Sequence, residues 1–249
     1  MGLPFDLSWT NWALALLAAF IVGLSKSGIK GIAILVVILM ALIFGGKSST
    51  GILLPMLIVG DIFAVIYYHR HTQWNYLKKL LPWMILGVLA GVWFGNQIPE
   101  AAFKKTMAVI VLITVAIMFW WDFRKEKSIP SHWSFAGSMG LSAGFTTMVG
   151  NLAGAFSNLY FLAMRLPKVH FIGTAAWLFF IINLFKFPFH VWVWGTISQE
   201  SLYLNLTLLP ATALGLFTGI KIVKRIPEKL FRQLILGLTA VGAIVMLLG

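Results

Sequence analysis

A chain of 249 residues that is 60% hydrophobic and 10% charged cannot cover an apolar core with a polar exterior, since an ordinary soluble domain is about a quarter charged. Its net charge of +12 would point to nucleic acid in a soluble protein. With a mean hydropathy of +0.92 and basic residues gathered in short loops, it reads instead as the loop bias of a polytopic membrane protein. The absence of cysteine excludes disulfides, thiolate metal sites and cysteine nucleophiles.

Residues 1–8 carry no basic residue, and no small-residue cleavage site follows, so the first apolar stretch is expected to be a membrane segment and not a removed signal peptide. Two short apolar runs, 11–24 and 31–44, flank the polar break Gly23-Leu24-Ser25-Lys26-Ser27-Gly28-Ile29-Lys30-Gly31. Each run is short for a full crossing, so they are read either as two tight crossings or as a broken, re-entrant pair. Gly45 to Ser49 is expected to be a turn. A segment at 50–68 follows, with Pro55 and Asp61, then a basic loop at 69–79 in which His69 and His71 are read as solvated. The segment 80–96 places Gly87, Gly91 and Gly95 at four-residue spacing, which allows helices to approach closely. Ile98-Pro99-Glu100 is a turn, 103–121 crosses again, and the polar stretch 124–130 is the expected central linker.

The second half, 128–249, repeats the plan of the first, 1–127. Its apolar runs lie at 134–147, 152–164, 169–192, 202–220 and 231–248. Leu80-Leu81-Pro82 recurs as Leu208-Leu209-Pro210, Gly87 and Gly91 as Gly215 and Gly219, and Ile98-Pro99-Glu100 as Ile226-Pro227-Glu228. A smaller shift sets Gly23 against Gly144, Gly51 against Gly173 and Asp61 against Asn183. Such duplication is expected of many transporters. Loops 69–79, 122–133, 165–170 and 221–232 hold 13 of the 19 Lys and Arg and are expected to be cytoplasmic. Loop 96–103 then lies outside while its mate, 224–231, lies inside. The fold expected is an all-α membrane bundle of two inverted repeats, each opening with a short broken or re-entrant helix pair, with both termini periplasmic.

Of the acidic residues only Asp61 falls in mid-segment. No metal-ligand spacing, paired carboxylates or phosphate loop is present, so no catalytic residue, metal or cofactor is expected. The break at 23–31 has a counterpart at 144–154. Together they offer Ser25, Lys26, Ser27, Gly28, Thr146, Thr147 and Asn151 as an anion site, because half-helix N-termini carry positive dipole ends and unused N–H groups. A lysine at membrane depth costs on the order of 3 kcal/mol on insertion scales and is seldom idle. Asp61 is a candidate proton carrier. Its mate Asn183 shares a helix face with Lys186, which otherwise snorkels toward a segment end marked by Pro188 and His190. The many Trp and Phe residues are read as lipid-facing or interfacial.

The pattern Val22-Gly23-Leu24-Ser25-Lys26-Ser27-Gly28, Gly51-Ile52-Leu53-Leu54-Pro55 with Asp61, Arg165-Leu166-Pro167-Lys168 and Phe171-Ile172-Gly173-Thr174 resembles the sulfite exporter TauE/SafE family of membrane transporters over nearly the whole chain. Many members are glycine-rich where this chain has Ile29-Lys30. The resemblance implies a secondary transporter of small sulfur-containing oxyanions or organosulfonates, such as sulfite or sulfoacetate, in a bacterial inner membrane. Its expected partners are the anion, the bilayer and, for a coupled carrier, protons. The alternatives are an uncoupled anion channel and, from another class, a membrane enzyme acting on a lipid phosphate, for which no acid/base or metal cluster can be assembled.

Overall fold

The structure is a computed structural model that describes residues 7–29, 32–103 and 133–227, with individual positions between 105 and 116 and between 230 and 234. The linker expected at 124–130, the crossing expected at 231–248, Lys30, and most of 103–121 lie outside the described residues. The described elements are helical. They are α1 (Trp9–Lys26), α2 (Ala33–Phe44), α3 (Gly46–Tyr68), α4 (Trp74–Gln97), α5 (Trp133–Gly150), α6 (Ala153–Ala163), α7 (Lys168–Pro188) and α8 (Gln199–Arg225). A 3₁₀ turn, His69–His71, follows α3, and a π turn, Phe189–Val193, extends α7. Five helical stretches are long and apolar enough to cross a membrane: Trp9–Lys26, Gly46–His71, Trp74–Gln97, Lys168–Val193 and Gln199–Arg225.

The polarity of the bundle is that of a protein solvated by lipid. Large apolar side chains such as Leu42, Ile66, Leu86, Trp93, Leu206 and Phe217 face outward, while Lys26, Asp61, Asn183, Lys186 and His190 are buried. Two apolar cores flank these polar groups. One joins α4, α5, α6 and α7 through residues such as Leu80, Met84, Phe161 and Ile182. The other joins α1, α2, α3 and α8 through residues such as Ala18, Val37, Met56 and Leu208. They meet where α3 packs on α7.

The expected turn at Gly45–Ser49 is corrected to a single residue. Gly45 takes φ +84°, a left-handed value that costs glycine little, and α3 begins at Gly46. The hydroxyls of Ser49 and Thr50 donate to the carbonyls of Gly46 and Lys47, so these polar residues continue the helix instead of opening a loop. The first apolar run is likewise longer than its expected bounds of 11–24, because Ser8 caps Asn11 and starts α1 a turn earlier.

At 18 residues α1 is about 27 Å long, whereas α2, at 12, reaches only about 18 Å. The two turn back on each other. Ser27 at the tip accepts the Tyr68 hydroxyl from the far end of α3, and α2 returns to the end where Lys47 meets Gly95 and Glu100. α5 and α6 make a second hairpin, whose tip at Asn151 binds the Thr50 carbonyl at the near end of α3. A turned-back pair is the shape that both readings of the short runs share, two tight crossings and a re-entrant pair; α1 is long enough to cross a membrane, and α2 is a shorter apolar helix.

Glycine contacts lock each hairpin to the opposite half. A Cβ at Gly23 would overlap the Thr212 carbonyl, and one at Gly215 the Phe20 carbonyl, so α1 and α8 touch backbone to backbone. The same holds for Gly144 on Met84 and Gly87 on Leu141, joining α5 to α4. Both pairs run parallel. α3 and α7 run antiparallel, with Gly173 against Tyr68, Asn183 against Asp61 and Thr196 against Gly51. The basic segments gather at one end of the bundle. There His170 meets His71 and Gln73, and Lys168 donates to the carbonyls of Val223 and Ile226. Glu100, in loop 96–103, sits with Lys47 at the other end.

Gly23→Ala and Gly144→Ala should each destabilise the protein by about 1–3 kcal/mol through overpacking against backbone that cannot yield. Gly137→Ala, whose Cβ would meet its nearest atom at 3.5 Å, should leave stability unchanged or slightly raised. Thermal unfolding in detergent compares the three.

Candidate functional site

At the end of α1 the Lys26 side chain turns inward. Its Nζ lies 2.5 Å from Asp61 Oδ1 on α3, with the two side chains 7% and 0% exposed. Asn183 on α7 donates to the other carboxylate oxygen at 2.7 Å. Phe179, one turn earlier on α7, puts its ring 5.4 Å from the Lys26 ammonium. A Cβ on Gly60 would strike the Lys26 side chain, so Gly60 makes the groove in which that chain lies. The repeat mates Asp61 and Asn183 thus touch each other, one as carboxylate and one as amide.

The second hairpin tip is tied down differently. Lys186 on α7 is fully buried, and its Nζ donates to the Thr147 carbonyl at 2.8 Å, the Thr147 hydroxyl at 3.1 Å and Asn151 Oδ1 at 2.6 Å. Three acceptors match the three N–H bonds of an ammonium. Asn151 takes φ +56°, which asparagine tolerates, and its amide nitrogen reaches the Thr50 carbonyl at 3.0 Å. Lys186 therefore does not snorkel. The segment does not end at Pro188 but runs on through the π turn, which keeps the ammonium inside the bundle.

Between these clusters lies a cavity of about 50 Å³. One water needs roughly 10–15 Å³ on this measure, so a few waters or one small oxyanion fit. Ser25 and Lys26 line it from the first hairpin, Thr147 and Asn151 from the second, and Leu57, Phe179 and Asn183 from α3 and α7. Ala33 starts α2, and Ala153 and Gly154 start α6, and all three also line it. Neither helix start has a side-chain cap. Two positive dipole ends without side-chain caps therefore flank the same space.

The remaining expected residues stand elsewhere. Ser27 donates to the Leu24 carbonyl at 2.7 Å and packs against Gly219, while Gly28, at φ +130°, packs against Ile172. Thr146 donates back to Ala143 at 3.3 Å. These three shape the breaks without lining the cavity. Phe179 was expected to be lipid-facing or interfacial with the other aromatics. Its place at i−4 from Asn183 and i−7 from Lys186 was the available signal. Among the described residues the only ion pair is Lys26–Asp61, and no group of three metal-ligating side chains occurs. Lys186 Nζ therefore has no carboxylate partner among the described residues, and it stands behind Thr147 and Asn151, which line the cavity, as Asp61 stands behind Lys26 and Asn183.

A family model for the sulfite exporter TauE/SafE matches residues 13–246. No curated protein and no solved structure matches the chain.

Breaking a buried ion pair from one side costs about 3–5 kcal/mol, whereas removing both charges costs far less. Lys26→Met and Asp61→Asn should therefore each lower the unfolding temperature more than the double variant does. Thermal unfolding of the four proteins measures that coupling directly.

Proposed function

The chain belongs to the sulfite exporter TauE/SafE family, a family of membrane transporters, and from that premise we propose that it is a secondary transporter of a small sulfur-containing oxyanion or organosulfonate. The observation that carries this reading is the unpaired buried ammonium of Lys186 beside a cavity flanked by two uncapped helix starts. An anion entering there neutralises a charge that the protein leaves uncompensated, and it accepts from N–H groups that no side chain satisfies. The substrate oxygens bind beside Ser25 and Lys26 on one side and Thr147 on the other, and Asn183 holds Asp61 in place.

The membrane in this reading is a bacterial inner membrane. The halves 1–127 and 128–249 are inverted repeats, and the basic end of the bundle is cytoplasmic. Support comes from the antiparallel meeting of Asp61 with Asn183 and from the matched glycine contacts of α1 on α8 and α5 on α4. Cysteines placed at 96–103 and at 224–226 in this cysteine-free chain should be labelled from opposite sides of the membrane by an impermeant reagent.

Asp61 and the anion compete for Lys26. When Asp61 takes a proton, Lys26 and Lys186 are both left to hold the anion, so proton and anion bind together. In proteoliposomes, sulfite accumulation should follow an imposed pH gradient. Asp61→Asn should retain exchange but lose the response to pH. A wild type that ignores the gradient is a uniporter or the uncoupled channel. Lys186→Met should weaken sulfite binding by roughly thirtyfold, because a unit charge on the order of 8 Å away contributes about 2 kcal/mol at an effective dielectric of about 20. Unchanged sulfite affinity in that variant would defeat the proposed site.

A further inference from the structure

Four residues of α7 and its extension form one buried stripe: Phe179, Asn183, Lys186 and His190. Their spacing of four, three and four residues keeps them on a single helix face. The first two line the central cavity, and Lys186 braces it. His190 comes next, one turn farther toward the end of the bundle that holds Lys47 and Glu100.

His190 is 0% exposed. Its Nδ1 shares a hydrogen bond of 2.8 Å with the Thr196 hydroxyl, while its Nε2 has no partner. Trp194 stands edge-on to it, ring centroids 5.1 Å apart, and its Nε1 is also buried without a partner. Over the Trp194 ring, 4.9 Å from its centroid, lies the Lys47 ammonium, which also donates to the Gly95 carbonyl at 2.7 Å. Glu100 is occupied with the backbone N–H of Lys47 at 2.9 Å. Two orphaned ring nitrogens beside a cation are costly to keep, since each buried unsatisfied group costs on the order of 1–3 kcal/mol. His190 sits on a π turn and Trp194 directly follows it, a distortion found mostly at functional positions.

We propose that His190 Nε2, Trp194 Nε1 and Lys47 Nζ form a second anion station, which takes the same class of small oxyanion on its path between the central cavity and the end of the bundle marked by Lys47. The proposal rests on the transport reading above. When the Thr196 hydroxyl donates to Nδ1 in place of the His190 carbonyl, which it also reaches at 3.4 Å, the neutral imidazole carries its proton on Nε2, so His190 Nε2 and Trp194 Nε1 both present N–H groups. Lys47 supplies the charge. The anion passes from the field of Lys186 to that of Lys47 across one turn of helix, with two donors in between.

The test uses Trp194→Phe, which removes one N–H and keeps a ring, and His190→Leu, which removes the other. Wild type and variants in proteoliposomes are compared for sulfite flux, and in detergent for sulfite affinity and unfolding temperature. Loss of a donor to an anion should lower flux about tenfold or more, with affinity at the central site within about twofold of wild type. A donor with no ligand is only a cost. If Trp194→Phe leaves the unfolding temperature equal or higher and flux unchanged, the station is overturned. Reduced flux at an equal or higher unfolding temperature supports it. Should His190→Leu fail to fold, Lys47→Gln, at the half-buried rim, replaces it with the same expected loss of flux. If the wild type neither binds nor moves sulfite, while Trp194→Phe is folded, the transport reading fails and the station loses its ligand. A wild type that transports beside unaffected variants defeats the station alone.

Discussion

One buried ion pair holds the site in register. Lys26 ends α1 at a point where the chain must turn, and Asp61 sits within α3, the helix after next. Separating the two charges in a low-dielectric interior is costly, so the tip of α1–α2 is tied to α3. Asn183 extends the tie to α7. Three elements from both halves of the chain are thereby fixed around one carboxylate.

The rest of the packing permits that arrangement. Backbone contact at Gly23, Gly215, Gly144 and Gly87 lets each hairpin lie flush on a helix of the other half. Close approach on the outside of the bundle leaves the seam between the two apolar cores to the polar groups. Helix starts that would be unsatisfied in lipid are harmless here because they face a cavity that water or an anion can enter. The same irregularity that would be a defect in a soluble core here lines a cavity.

Charge placement gives the seam a direction. Lys26 is balanced by Asp61, Lys186 is held by neutral acceptors, and Lys47 lies over Trp194. Two lysine nitrogens against one carboxylate in this seam suit an anion better than a cation. The inside-negative membrane potential adds about 2.3 kcal/mol per charge at 100 mV in favour of anion exit.

Composition and segment length alone determined that the chain is a helical membrane protein. The glycine-bounded breaks and the internal matches marked which stretches are irregular, because backbone interruption needs residues of recognisable type. Lys26, Thr147 and Asn151 stood out as candidates for that reason, whereas Asp61 and Asn183 stood out as matched polar residues inside apolar segments. Which polar side chain faces the cavity was decided only in three dimensions. Ser27 and Thr146 have the same chemistry as Ser25 and Thr147 but spend their hydroxyls on their own helices. Lys186 and His190 read as the polar end of a segment, yet the π turn and the neighbouring hairpin enclose them. A hydroxyl or ammonium can be satisfied locally, by solvent or by a distant helix at similar cost, and only the packing of those distant helices selects among the three.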